Sequence, residues 1–148
     1  TAVLFLDLDK FKAVNDQFGH EAGDALLHEV GTRLSHCVRN SDTVSRLGGD
    51  EFVIVLAQIA HPDDAVSAAE KVINALSEPV TISGLPLRVT TSIGIAIAPP
   101  SPRQDAAAVL ARADLAMYAA KKAGRNCFRF VDENGQAGPL RTGAGLSM

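Results

Sequence analysis

Gly48-Gly49-Asp50-Glu51-Phe52 stands between a strand-like stretch, Thr43 to Leu47, and an apolar one, Val53 to Leu56. The reading is a β-hairpin whose tip presents two adjacent carboxylates. Glycines at such a tip accept φ > 0 and carry no Cβ, so the turn is tight and a bulky anionic group can approach the backbone closely. Taken alone, this stretch describes an ordinary hairpin with solvated acids better than it describes a ligand site.

The start of the chain changes the balance. Ala2 to Leu8 is an apolar run of strand length that carries acids at Asp7 and Asp9 and leads into Phe11-Lys12-Ala13-Val14-Asn15-Asp16. Residues i and i+2 of an extended chain share a face, so Asp7 and Asp9 point together from the end of the strand. Pairing of that strand with the hairpin is expected to cluster Asp7, Asp9, Asp50 and Glu51. So much like charge is unfavourable without a cation and would otherwise raise a carboxyl pKa. A divalent metal is the economical answer. Mg²⁺ takes hard oxygen ligands and is commonly held by one or two carboxylates together with substrate phosphates; Mn²⁺ is the alternative.

Around these two segments the chain alternates periods. Leu26, Leu27, Val30, Leu34, Cys37 and Val38 recur at helical spacing, as do Val66, Ala69, Val72, Ile73 and Leu76, then Val109, Leu110, Ala113, Ala116, Met117 and Ala120. Pro62 with Asp63 and Asp64 suits a helix start, and Gly124 after Lys121 and Lys122 a stop. Leu85, Leu87, Val89, Thr91, Ile93, Ile95 and Ile97 alternate with small or polar residues, which predicts a strand or hairpin arm with one buried face. Asn126 to Val131 closes as another strand. The expected fold is an α/β (α+β) domain, a mostly antiparallel central sheet flanked by helices.

Composition narrows the class. At 148 residues and 47% apolar composition, one domain with a real core is expected. No apolar run approaches the roughly 20 residues of a membrane helix, and no signal peptide is visible. Cys37 and Cys127 lie far apart in no ligand or redox motif, which points to thiols buried in a reducing compartment, the cytoplasm. A full-length protein could still be membrane-anchored. The formal charge of −3 offers no general attraction to nucleic acid or anionic membrane, so anion binding has to be local.

Four ordered blocks carry a family resemblance. Asp7-Leu8-Asp9-Lys10-Phe11-Lys12 with Asn15-Asp16, Phe18-Gly19-His20 with Gly23-Asp24, Gly48 to Phe52, and Ala113 to Tyr118 followed by Lys121 and Gly124-Arg125-Asn126 together span about residues 2 to 130. In this order and spacing they make the chain resemble a GGDEF domain, the catalytic domain of bacterial diguanylate cyclases. The resemblance implies a fold related to polymerase palm domains and class III nucleotide cyclases. It implies condensation of two GTP into cyclic di-GMP with release of two pyrophosphates.

That chemistry requires in-line positioning and charge neutralisation more than covalent help. The resemblance makes Asp7 and Asp50 the leading metal ligands, with Glu51 and the backbone at Leu8 as further ones, and leaves the proton acceptor open between Asp50 and a metal-held hydroxide. Asp9 also reads as a helix N-cap before Lys10, with no catalytic role. Lys12, Lys121 and Arg125 match the family's phosphate partners. The last two, four apart, read as one helix face near its end, where their plain role is to complement the helix dipole. Main-chain amides at Phe11 and Lys12 add anion binding at a helix start, and Gly48 and Gly49 line the substrate. Asn15 and Asp24 occupy the guanine-reading positions: a carboxylate accepts from N1–H and the 2-amino group, donors that adenine lacks, and a carboxamide donates to O6.

Arg39-Asn40-Ser41-Asp42 is separated from Gly48 by five intervening residues, the spacing of the family's inhibitory Arg-x-x-Asp site, where cyclic di-GMP binds and restrains the enzyme; a helix-end ion pair is the duller reading. Lys71 is an extra contact from the following helix. One GTP half-site per domain implies a homodimer for activity. Residues 1–131 are expected to form the catalytic domain and 132–148, Gly-rich and aperiodic, a flexible tail or linker. The chain begins inside the first strand, without the short segment that commonly precedes it in the family, so a fragment of a longer protein with sensory or phosphodiesterase domains is expected. Two rivals stand beside this reading: a catalytically weak regulatory domain that binds GTP or cyclic di-GMP and is attached to a phosphodiesterase domain, and a structural α/β domain with incidental acids.

Overall fold

The computed structural model describes residues 1–98, 106–131 and 141–142. In chain order the elements are β1 (Ala2–Asp9), α1 (Phe11–Phe18), α2 (His20–His36), β2 (Thr43–Gly48), β3 (Glu51–Leu56), α3 (Pro62–Ser77), β4 (Val80–Ile82), β5 (Leu85–Leu87), β6 (Thr90–Ile97), α4 (Ala106–Lys122), β7 (Cys127–Val131) and β8 (Arg141–Thr142). Six strands form one sheet in the order β2-β3-β1-β6-β7-β8, and β4 with β5 forms a separate two-stranded sheet. The pairs within the large sheet are antiparallel except β6 with β7, which is parallel. That parallel pair needs a crossover, and α4 supplies it. An α/β domain with a mostly antiparallel sheet flanked by helices is therefore what folds.

β1 is buried along its whole length because both its faces are covered. Leu4, Leu6 and Leu8 pack with Leu26, Val30, Val72 and Ile73 of α2 and α3. Val3 and Phe5 meet Val109, Ala113 and Met117 of α4 on the other side. Burying a side chain such as Leu or Phe contributes about 1.5–3 kcal/mol, so the strand is fixed by its alternation on both faces at once. Asp7 and Asp9 continue the odd-numbered series and emerge on the α4 side at the end of the strand.

The alternation from Leu85 to Ile97 is not one arm. Ser83 (φ 51°) and Gly84 (φ 82°) make the tight turn of a β4–β5 hairpin, and the ladder of β6 begins afresh at Thr90. β6 is also buried on both faces rather than one, because α4 lies directly on it. A Cβ on Gly94 would come within 1.9 Å of the Ala113 carbonyl oxygen and 2.2 Å of the Met117 nitrogen. The absent side chain is what allows backbone to rest on backbone.

The three predicted helices form, preceded by the short α1, and Gly19 (φ 93°) marks the break between α1 and α2. The α3 start is capped as its sequence suggests: the Asp64 carboxylate accepts from the Ala60 and His61 amides at 2.9 and 3.2 Å. Cys127 is buried and Cys37 half-buried, and burial pushes both thiols above their usual range. Among the described residues no helix is long and apolar enough to cross a membrane. Apart from Arg141 and Thr142, which pair with β7, the expected tail lies outside the described residues.

Candidate active site

Two elements far apart in sequence meet at the hairpin tip. In the β1–β3 ladder Asp7 stands opposite Glu51, and the Leu8 amide donates to the Asp50 carbonyl at 3.2 Å. Gly48 (φ 152°) and Gly49 (φ 52°) carry the turn. A Cβ on either would meet nothing within 4 Å, so conformation, not crowding, demands glycine there. Arg46 Nε donates to the Gly49 carbonyl at 2.9 Å and braces the tip from its own strand. Sequence reading passed over Arg46; the signal was a cation two residues before the diglycine.

Asp7 is the electrostatic centre. Its Oδ2 accepts from Lys121 Nζ at the last turn of α4, and the Asp50 carboxyl lies beside it. Burial, first, and Asp50 hold the Asp7 carboxyl above the usual carboxylate range, against the opposing pull of Lys121. Its other oxygen, Oδ1, is buried with no hydrogen-bond partner. A buried carboxylate oxygen without a donor is costly. With a second carboxyl alongside, the donor set fits a hard divalent cation that keeps much of its shell for water and phosphate oxygens. Glu51, half-buried, lies on the same face.

The expected cluster of four acids is smaller than predicted. Among the described residues no three His, Cys, Asp or Glu side chains approach closely enough to hold a metal by themselves. Asp9 is drawn away by three donors: Thr90 Oγ1 at 2.6 Å, Ser92 Oγ at 2.6 Å and the Asn126 amide at 3.1 Å. Nor is Asp9 the N-cap of α1; Lys10, in the left-handed conformation (φ 58°), takes that position without a side-chain cap.

Of the expected phosphate partners, Lys12 is exposed on the first turn of α1 beside buried Phe11. Lys121 and Arg125 do not share a helix face. α4 ends at Lys122, and the Arg125 and Gly124 amides close it by donating to the Ala120 and Lys121 carbonyls at 3.1 and 3.3 Å. Gly124 (φ 118°) at the position after the cap makes this a Schellman ending, which carries Arg125 (φ 66°) past the helix. There Arg125 lines a cavity of about 450 Å³ with Lys10, Arg88 and Asn126.

Asn15 packs against α2 at Gly23, the residue before Asp24 in the chain. A Cβ on Gly23 would lie 1.9 Å from Asn15 Oδ1, so the missing side chain lets the carboxamide settle on α2. Asp24 lines a cavity of about 650 Å³ with Leu27, His28, Arg46 and Phe52. On the far side of the hairpin, Arg39, Asp42 and Lys71 line one cavity of about 240 Å³ with His36 and Cys37. Asp42 accepts from the Arg39 and Ala57 amides at 3.0 and 3.1 Å, so it holds a turn through main-chain groups.

Comparison with known proteins agrees. The family model "Diguanylate cyclase, GGDEF domain" matches residues 1–127. The chain is 47% identical over 133 residues to the bifunctional diguanylate cyclase/cyclic di-GMP phosphodiesterase MucR of Pseudomonas aeruginosa, which covers 90% of this chain and 19% of that protein. It is 42% identical over 134 residues to the diguanylate cyclase TpbB of the same species, covering 90% of this chain and 31% of TpbB. The chain thus spans less than a third of the length of these relatives. The crystal structure of the TpbB GGDEF domain superposes with a TM-score of 0.82 at 42% identity, over 87% of this chain and 80% of that one. The GGDEF domain of DgcB from Caulobacter crescentus, solved in complex with c-di-GMP, superposes with a TM-score of 0.76 at 28% identity, over 88% and 76%. By sequence, fold and the spacing of its acids, this chain belongs to the GGDEF family of diguanylate cyclase domains.

Proposed function

We propose that this domain condenses two GTP into cyclic di-GMP. The observation that carries the reading is the partnerless buried oxygen of Asp7 beside the Asp50 carboxyl, at the foot of a turn where a Cβ on Gly48 or Gly49 would meet nothing within 4 Å. The 3′-hydroxyl of one GTP attacks the α-phosphate of the other, a P–O bond forms, pyrophosphate leaves, and the same step repeats in the opposite sense. Asp7 and Asp50, with Glu51 and the Leu8 main chain, would hold Mg²⁺, or Mn²⁺ in its place, and the ion supplies charge neutralisation at the reacting phosphate when bound. The carboxylates of Asp50 and Glu51 are the tip groups available to take the hydroxyl proton. Lys12, Lys121 and Arg125, with the Phe11 and Lys12 amides, grip the β- and γ-phosphates. Asn15 and Asp24 read the guanine edge.

Each domain offers one GTP half-site, so two copies face one another in the reaction and turnover rises more than linearly with protein concentration. Arg39, Asp42 and Lys71 form the site where product binds and restrains the enzyme; Arg39→Ala is expected to keep basal turnover and lose inhibition by added cyclic di-GMP. The likeness to MucR, a bifunctional diguanylate cyclase/cyclic di-GMP phosphodiesterase, supports a phosphodiesterase domain alongside this one.

The experiment is to incubate the chain with Mg²⁺ and GTP and follow cyclic di-GMP by mass, repeated with Asp50→Ala. Formation by the native chain and a fall of about 100-fold or more in the variant are expected. Nucleotide binding without product at any protein concentration would instead favour a regulatory domain, and absence of binding a structural one.

A further inference from the structure

We propose that Asp9 is a positioning residue that fixes Arg125 for the triphosphate, an inference that rests on the reading of the site as a GTP site. Asp7 and Asp9 leave the same face of β1, and each takes hold of the same α4–β7 turn. Asp7 engages the Lys121 side chain in the last turn of the helix. Asp9 accepts from the Asn126 amide at 3.1 Å, immediately beyond Arg125. The turn that carries Arg125 is thus pinned at both ends to two acids that stand two positions apart on β1.

The pinned backbone is one that side-chain-bearing residues seldom adopt. Arg125 (φ 66°) and Asn126 (φ 50°) are consecutive left-handed residues directly after Gly124 (φ 118°). Such a conformation persists only where the surroundings over-determine it. The Schellman bonds settle the Arg125 amide, and Asp9 settles that of Asn126.

Asp9 itself is held rigidly. It is 6% exposed, and the hydroxyls of Thr90 and Ser92 donate to its two oxygens at 2.6 Å each. An apolar residue would continue the face that Val3 and Phe5 begin, and would avoid the cost of burying a carboxylate. What a carboxylate adds is an acceptor for the Asn126 amide, locked in place by β6. Asp9 lines the same cavity as Arg125, but both its oxygens are taken by Thr90, Ser92 and Asn126, so its effect on the substrate passes through Arg125.

The test measures binding of 3′-deoxy-GTP, which lacks the attacking hydroxyl and does not turn over, and of GMP, which has guanine and the α-phosphate but no β- or γ-phosphate. Both are titrated in Mg²⁺ by calorimetry. Asp9→Ala is expected to weaken 3′-deoxy-GTP about 10-fold and to leave GMP within about 2-fold. Arg125→Ala is expected to do the same, and the double variant to be no weaker than either single one. Asp9→Asn, whose oxygen can still accept from Asn126, is expected to restore most of the affinity. Should Asp9→Ala fail to fold, Thr90→Val removes one of the two hydroxyl donors and is expected to give a smaller loss confined to 3′-deoxy-GTP. Equal losses for both nucleotides, or additive losses in the double variant, would overturn the proposal while leaving the GTP site standing. Failure of the native chain to bind either nucleotide would overturn the reading of the site itself, and this inference with it.

Discussion

The Leu8 amide donates to the Asp50 carbonyl at 3.2 Å. This one bond ties the acid-bearing end of the first strand to the diglycine tip, residues more than 40 positions apart in the chain. The β1–β3 ladder runs up to the same point and places Glu51 opposite Asp7. The carboxylates are therefore held together by backbone geometry, whatever their mutual repulsion. A divalent cation bound there would offset that repulsion.

Gly23→Ala tests the guanine subsite separately from the fold. Alanine is the better helix former by about 1 kcal/mol, but its Cβ would occupy the place of Asn15 Oδ1. The flexible end of Asn15 can move aside, but the buried Phe11 ring, whose Cζ lies 3.2 Å from that Cβ, must also shift, so the two effects offset and Tm is expected to change little while affinity for GMP falls about 10-fold. Unchanged affinity would remove Asn15 from guanine recognition.

Arg33 tests what keeps α2 and α3 together. Its guanidinium donates to the carbonyls of Ala75, Glu78 and Pro79 at 2.9, 2.6 and 3.1 Å, and pairs with Glu29 at 3.3 Å. These carbonyls lie at the end of α3 and just past it, where the helix has no partners of its own. Arg33→Met is expected to destabilise the domain by about 2 kcal/mol, seen as a lower urea midpoint at unchanged slope. Arg33→Lys, without the planar fork, should recover less than half of that loss. A midpoint unmoved in Arg33→Met would deny the clamp.

Asp64 gives a pH test. The amides of His61 and Ala60 hold its carboxyl below the usual carboxylate range. A lowered folded-state pKa contributes stability that is present above the unfolded value of 3.8 and is lost as pH falls through the folded one. Asp64→Asn is therefore expected to lower Tm at neutral pH, with the difference from the native chain closing below pH 3.8 as both side chains become neutral. A difference that does not depend on pH would place the effect elsewhere.

Much of this was legible locally. The hairpin, the opening strand and three helices follow from period and punctuation alone, because each buries a face that recurs every two or 3.6 residues. What was not legible depends on contacts made across the fold. β6 is covered twice because α4 returns over it, and only Gly94 hints at so close an approach. Asp9 reads locally as a helix cap, yet its partners Thr90, Ser92 and Asn126 arrive from β6 and the entry to β7. Arg125 is the instructive case. Gly124 already signalled a helix stop, and that stop places Arg125 in the turn, not on the helix face that its spacing from Lys121 suggests. Arg46 escaped because its value lies in one main-chain bond to Gly49.

The central claim is that Asp7 and Asp50 together hold a divalent cation beneath a guanosine triphosphate. Its most direct test is electron paramagnetic resonance of Mn²⁺ titrated into the chain with 3′-deoxy-GTP, comparing native protein with Asp7→Asn and Asp50→Asn. The account predicts saturable Mn²⁺ binding that the nucleotide strengthens and that each substitution weakens about 10-fold or more. Binding of the same strength in all three proteins would contradict it.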